Sequence, residues 1–316
     1  MQEYLGYILT GATLMNVQSL KAQLKNYAIR SNHTFQDVLI LYGIERMVYR
    51  ISISKYVDSF TLKGGIFLYA LYDKNFARST ADVDLLAHHI SNDFESMRSI
   101  FGEILAYEAD DGLDFDATTL EFQMISQVKA YHGVRVTVMA YLDRTRIPIS
   151  LDIGFGDVVY PEREQMVFPT ILGTDEPVIF AYSIESVIAE KFEAIVQLGY
   201  ANSRYKDFYD IYILSKTQSI DGIMLQNAIA ETFRQRRTLF QDIVAFTPGY
   251  ANDRVHSSRW NAFIKRKKAM MLIEFPEAMV KIQEFLLPVV KAIQSEETFS
   301  FTWNSTEGEW LKGGID

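Results

Sequence analysis

The segment Arg78-Ser79-Thr80-Ala81-Asp82-Val83-Asp84-Leu85 carries the densest potential for chemistry in the chain. Side chains alternate faces along a strand, so Asp82 and Asp84 share one face while Val83 and Leu85 turn to the core. Two carboxylates one strand repeat apart repel each other unless something positive lies between them. A divalent cation is the economical answer, and an ordinary solvent-facing strand is the alternative. Upstream, Gly64-Gly65 sits between an apolar strand pattern and an apolar helix pattern. Glycines there allow close backbone approach, so N–H groups at a helix start can receive phosphate oxygens; a tight strand–helix turn reads equally well. Downstream, Asp152 interrupts the apolar run Ile149-Ser150-Leu151-Asp152-Ile153-Gly154 and needs a metal, a lysine or a proton as partner. Glycine turn, Asp-x-Asp and a third strand-borne Asp together suit two-metal phosphoryl transfer, with two Mg²⁺ ions clamping a triphosphate and activating an attacking hydroxyl.

Two helical segments follow. In Ser183–Leu198, Ser183 is placed to cap the helix, and Lys191 falls within the stripe Ile184, Val187, Ile188, Ile195 and Leu198. Glu190 and Glu193 fall on the opposite side. A lysine so placed either snorkels or meets an anion, a phosphate among the candidates. In the next segment Asn202 or Ser203 caps a helix in which Asp207 and Asp210 share a face with Ile211 and Leu214. Lys191, Arg204 or Lys206 are available to pair with them, in an ion-pair lattice that is compatible with a catalytic role.

The elements that must position these residues form an α+β chain. Helical patterns cover about 16–30 and 34–53, a strand near 57–62 leads into Lys63-Gly64-Gly65, and a helix follows at 66–73. Strands are expected at 82–87, 121–128, 133–142 and 147–153, with hairpin breaks at His132-Gly133 and Asp143–Arg146. Helical periodicity dominates from Ser183 almost to the end. The expected organisation is a mixed-sheet domain with flanking helices over 1–175 and a helical domain over 176–316, the latter contributing Lys191 and the Lys206–Asp210 helix to the site. Phe285, Leu286, Leu287 and Trp303 are expected to be core.

Composition narrows the chemistry. The 316 residues include no Cys and five His, which removes disulfides and thiolate ligands and leaves a hard cation on carboxylates as the metal to expect. Hydrophobic residues make up 48%, enough for a packed core. No apolar run reaches the ~18–20 residues of a membrane span, and Met1-Gln2-Glu3-Tyr4 lacks a basic signal-peptide start, so a cytoplasmic protein without a membrane partner is expected. The net charge of −9 argues superficially against a polyanionic partner. Its distribution does not: residues 201–270 hold 12 basic and 6 acidic residues, a balance of +6. Arg234, Arg236, Arg237, Arg254, Arg259 and Lys265-Arg266-Lys267-Lys268 supply most of it.

In series, these motifs resemble the nucleotidyl transferase AbiEii/AbiGii toxin family, DNA polymerase beta-like nucleotidyltransferases that act as toxins in bacterial toxin–antitoxin and phage-defence systems. The resemblance runs from Gly64-Gly65 through Arg78-x-Thr80-x-Asp82-Val83-Asp84-Leu85 and Leu151-Asp152-Ile153-Gly154-Phe155-Gly156-Asp157. It continues through Ala189-Glu190-Lys191 to Asn202-Ser203-Arg204-Tyr205-Lys206-Asp207-Phe208-Tyr209-Asp210. It implies a nucleotidyltransferase fold with a helical C-terminal part, Asp82 and Asp84 as metal ligands, and Lys191 with the Lys206, Asp207 and Asp210 helix completing the active site. Ile66 stands where this superfamily often has Ser or Thr, and Thr80 where Ser is frequent.

The expected activity is Mg²⁺-dependent transfer of an NMP unit from an NTP to an acceptor hydroxyl. Gly64 and Gly65 cradle the phosphates, Asp82 and Asp84 hold metal, and Asp152 completes the metal site or acts as base. Lys191 neutralises the triphosphate; Arg78 and Lys206, positioned by Asp207 and Asp210, make phosphate contacts or ion pairs, and Thr80 is a further phosphate contact. Family members are reported to target tRNA 3′ ends, which makes tRNA the expected acceptor and a cognate antitoxin the expected protein partner. Two alternatives stay open. One is a small-molecule or protein acceptor, favoured by a strongly negative cleft in the case of a cationic antibiotic; the other is a non-catalytic interaction module on the same fold.

Overall fold

The structure is a computed structural model that describes residues 16–73, 82–127, 131–173, 175–240, 243–267 and 271–312, with the backbone alone at 126, 127, 131, 132 and 267. Helices α1 (Val17–Ser31) and α2 (Phe35–Ile53) come first. Strand β1 (Phe60–Lys63) runs directly into α3 (Gly64–Leu71), and β2 (Asp82–Ala87) precedes α4 (Phe94–Leu105). Then come β3 (Asp114–Gln127), β4 (Tyr131–Leu142), β5 (Thr145–Phe155), β6 (Glu164–Val167) and β7 (Val178–Ala181). The remainder is α5 (Ile184–Leu198), α6 (Tyr205–Thr217), β8 (Ile220–Asp221), α7 (Gly222–Arg236), α8 (Pro248–Ala251), α9 (Arg254–Lys267), α10 (Phe275–Gln294), β9 (Phe301–Asn304) and β10 (Glu309–Lys312).

The first seven strands form one mixed sheet in the order β3-β4-β5-β2-β1-β7-β6. Strand β2 is antiparallel to β1 and parallel to β5, while β7 lies parallel to β1. The meander β3-β4-β5 follows from alternating Val, Ile and Thr; in β5, Ile147, Ile149, Leu151 and Ile153 are buried and the residues between them less so. His132-Gly133 lies inside β4 rather than at a hairpin break, with Gly133 opposite Ile125. Strand β7 extends the sheet past residue 175, and a second, three-stranded sheet in the order β10-β9-β8 interrupts the helices of the second half.

Helix α2 starts at a capping box, Thr34 Oγ1 accepting from Asp37 N at 3.1 Å and Asp37 Oδ2 accepting from Thr34 N at 3.2 Å. It crosses the sheet closely: a Cβ on Gly43 would fall 2.5 Å from Ile149 Cδ1. Its buried Arg50 forks onto Asp111, with Nη1 2.6 Å from Oδ2. Ser183 caps α5 by accepting from Ser186 N. Asn202 accepts from Arg204 N at 2.7 Å, ahead of α6, and neither it nor Ser203 is the cap residue. Phe285 and Leu286 are fully buried, and Trp303 is buried on β9, donating to Ser215 O at 2.6 Å.

Candidate active site

The site grows from the place where β1 ends and α3 begins. Register sets Lys63 beside Asp84, Asp84 beside Asp152, and Asp152 beside Arg135, so a charged row crosses β1, β2, β5 and β4 on one face. In β2, Val83 and Leu85 are wholly buried whereas Asp82 is exposed and Asp84 half-buried, the division the alternation predicts. Gly64 has φ +65°, and a Cβ there would lie 2.0 Å from Asp84 Oδ2. Only glycine lets the backbone come so near the carboxylate. Gly65 N donates to the same oxygen at 3.3 Å, so this helix start is already turned towards an anion. Ile66, by contrast, faces the core with no exposure.

Asp152 has found a partner that the sequence reading passed over. Arg135 Nε donates to Oδ1 and Nη2 to Oδ2, each at 2.7 Å, a bidentate fork. A strand-borne arginine in an alternating run reads as ordinary surface; only the strand register puts it opposite Asp152. The three aspartates act on one another. Burial, then Asp152 and Asp84, raise the Asp82 carboxyl, with Arg135 and Lys206 pulling the other way.

A polar cleft opens beside this row, lined by Lys63, Gly64, Gly65, Asp84, Glu190, Lys191, Arg204, Lys206, Asp207 and Arg236, with Val187 and Ala194 as apolar wall. Lys191 of α5 and the start of α6 therefore face the same space as Asp84 and the glycines. Lys191 does not snorkel: it is 7% exposed, and its Nζ lies 3.2 Å from Asp207 Oδ1 and 2.7 Å from Asp210 Oδ2. Both aspartates are fully buried. Arg204 Nε reaches the other Asp207 oxygen at 2.6 Å. Burial pushes the Asp207 carboxyl up, but Lys191, Arg204 and Lys206 outweigh it and hold the group below the usual carboxylate range. Lys206 is exposed at the cleft.

Glu190 and Glu193 are not on a solvent face, as helical periodicity suggests; α5 is buried on that side too. Lys63 Nζ sits 2.6 Å from Asp157 Oδ2 and 3.1 Å from Glu190 Oε1. Arg236 reaches Asp157 at 2.9 Å, Glu190 at 3.3 Å and Glu193 at 2.9 Å. Tyr182 O–H donates to Glu190 at 3.0 Å. Two cations thus serve three buried carboxylates. Burial alone would raise Asp157, yet Lys63 and Arg236 hold it far below the ordinary range, while burial leaves Glu190 above it despite the same cations. This lattice ties the β1–α3 junction to α5 and α7. It also removes Arg236 from the expected basic surface. Arg234 pairs with Glu231, and Arg237, Arg254, Arg259, Lys265 and Arg266 remain exposed.

Of the residues singled out from sequence, Gly64, Gly65, Asp84, Lys191, Lys206 and Asp207 meet at the cleft, and Asp210 supports Lys191 from behind. Asp82 and Asp152 adjoin Asp84 along the sheet. Arg78, Thr80 and Lys268 lie outside the described residues. Among the described residues, no three His, Cys, Asp or Glu side chains form a ready-made metal cage. Mg²⁺ seldom needs one, since it commonly takes one or two carboxylates and completes its shell with substrate phosphates and water. Asp82 and Asp84, two residues apart on one strand face, fit that role; burial first, then the charges of Asp152 and Asp84, raise Asp82.

The fold is an α+β one, a mixed seven-stranded sheet with flanking helices, and the polar cleft opens where β1 runs into α3. The sequence model of the nucleotidyl transferase AbiEii toxin family, of type IV toxin–antitoxin systems, matches residues 46–279, and the chain belongs to that family. Comparison with curated proteins finds no match. Among solved structures, JHP933 from Helicobacter pylori aligns with TM-score 0.45 and 13% identity over 82% of this chain and 94% of its own. A second H. pylori structure, described as a candidate nucleotidyltransferase, aligns with TM-score 0.45 and 15% identity over 81% and 96%. Among the described residues no helix is long and apolar enough to cross a membrane.

Proposed function

We propose that this toxin-family chain transfers an NMP unit from an NTP to a hydroxyl at the 3′ end of tRNA, with Mg²⁺ as cofactor and a cognate antitoxin as protein partner. The observation that carries the reading is the meeting of Asp84, the Gly64-Gly65 turn, Lys191 and Lys206 on one cleft. In the reaction the acceptor oxygen bonds to the α-phosphorus, the α–β phosphoanhydride bond breaks, pyrophosphate departs, and the acceptor proton passes to a base. Asp82 and Asp84 would hold the magnesium, which when bound would neutralise charge on the phosphates and make the attacking hydroxyl more acidic.

The residues of the chain orient and neutralise. The backbone at Gly64 and Gly65 lies against Asp84, so phosphate oxygens at the helix start and a cation on Asp84 come together. Lys206 is placed at the cleft mouth to meet phosphate directly. Lys191 stands in the cleft wall, fixed in place by Asp207 and Asp210. Arg254, Arg259, Lys265 and Arg266, exposed on α9, offer a cationic face to an RNA acceptor. A cleft lined by five basic and three acidic side chains suits polyanionic substrates better than a cationic antibiotic. The test is incubation with each α-labelled NTP and either total tRNA or an aminoglycoside. Label in tRNA is expected; label in the antibiotic alone would reassign the acceptor.

A further inference from the structure

We infer that the Arg135 guanidinium takes the place of a second cation beside Asp152, so that the site binds one metal ion, on Asp82 and Asp84, and not two. The inference rests on the reading of Asp82 and Asp84 as metal-holding residues and concerns what Asp152 does next to them. Three strands bring the groups together: Asp152 is the register neighbour of Asp84 on one side and of Arg135 on the other. The geometry of the fork is specific. Both Asp152 oxygens are engaged, each at 2.7 Å from a different guanidinium nitrogen, which is the arrangement that matches a planar carboxylate to a planar guanidinium.

Arg135 does more than satisfy one aspartate. Asp82 and Asp84 also act on its charge, after Asp152, so the guanidinium stands within electrostatic reach of all three carboxylates. A guanidinium keeps its proton under all working conditions, so this positive charge is permanent. A divalent ion approaching Asp152 meets like charge and must displace two charge-assisted hydrogen bonds. Among the described residues Asp84 meets no such fork: its Oδ2 accepts a backbone N–H from Gly65 at 3.3 Å. The same row therefore presents Asp152 with both oxygens held by a guanidinium, next to Asp84 with one oxygen on a backbone N–H. On this proposal Asp152 acts as a positioning residue that holds Arg135 in the row, and the two-ion expectation reduces to one.

The test is equilibrium dialysis of the full chain against Mn²⁺ and an equimolar mixture of the four α,β-methylene ribonucleoside triphosphates, counting Mn²⁺ in excess on the protein side. The wild type is expected to hold one ion per chain and Asp152→Asn still one. Arg135→Gln is expected to hold two, returning to one in Arg135→Gln/Asp152→Asn. Two ions in the wild type, a lower count in Asp152→Asn, or one ion in a folded Arg135→Gln overturns the inference. Asp84→Asn separates the two levels: if it retains wild-type Mn²⁺, the metal-holding role of Asp84 fails whatever Arg135 does. The Arg135 side chain is 39% exposed and β4 is held by its backbone ladders, so the variant's unfolding midpoint, measured alongside, is expected to stay near that of the wild type.

Discussion

Replacing Lys63 by Met probes the lattice that joins the β1–α3 junction to the helices behind it. The lysine is 5% exposed, with its ammonium 2.6 Å from Asp157 and 3.1 Å from Glu190. At an effective dielectric of ~20 each contact has a gross Coulomb energy of roughly 5–6 kcal/mol, most of it offset by the desolvation of the lysine. Removing one partner leaves the other charges in place. Arg236 alone would then face Asp157, Glu190 and Glu193, and the local balance moves from one excess negative charge to two. The expected loss of unfolding free energy is about 3–5 kcal/mol at pH 7.5. Its pH dependence has a definite sign. Glu190 is already raised in the folded state from its ordinary 4.5, and losing Lys63 raises it further. Above pH 4.5 the folded variant then binds more protons than the unfolded chain, so its stability rises as pH falls towards 4.5. The deficit against the wild type should therefore narrow between pH 8 and pH 5. Lys63→Met/Glu190→Gln should recover more than half of the loss. Urea unfolding of the three proteins at both pH values decides it. A Lys63→Met protein as stable as the wild type, or a deficit that widens on acidification, would show that Lys63 does not hold this lattice together.

Other perturbations reach the cleft from different sides. Gly64→Ala forces a positive φ on an L-residue and drives a methyl into Asp84 Oδ2, so it should cost about 1–3 kcal/mol in thermal unfolding and abolish nucleotide-dependent Mn²⁺ binding. Lys191→Ala removes the cation between two fully buried aspartates; a loss of about 3–5 kcal/mol is expected, with at least half restored in Lys191→Ala/Asp210→Asn, but no recovery of nucleotidyl transfer. Lys265→Ala/Arg266→Ala should leave the melting temperature within about 1 °C and reduce the slope of log Kd for tRNA against log salt by up to about 1.5.

Much of this architecture could be read from residue order. The alternation Asp82-Val83-Asp84-Leu85 fixes which side chains leave the core, and the strand bears it out. The strand–glycine–helix turn at Lys63-Gly64-Gly65 was equally legible, because the glycine pair separates a short apolar strand run from an apolar helical run. Pairing across the sheet was not. The partner of Asp152 depends on which residue of β4 lies opposite, and register is a tertiary property, so Arg135 gave no local signal. Helical periodicity likewise failed for Glu190 and Glu193, because Lys63 of β1 and Arg236 of α7 close over that side of α5, leaving Glu190 only the cleft and Glu193 buried. Arg236 was misread for the same reason: a charge cluster in sequence says nothing about which member turns inward. The anions awaiting Lys191 were narrowed to the right helix, since carboxylates sharing an apolar stripe must find cations.

On the proposed function, Asp84 holds the metal that makes nucleotidyl transfer possible. The most direct measurement is incorporation of α-labelled NTP into total tRNA by wild-type protein and by Asp84→Asn, matched for folded fraction. Asparagine keeps the size and can accept the Gly65 N–H, so the variant isolates the lost charge. Robust labelling is expected from the wild type and a fall of at least ~100-fold in the variant, the scale expected when a key electrostatic group is removed from an active site. Equal labelling by a folded Asp84→Asn protein would contradict the metal-holding role of Asp84.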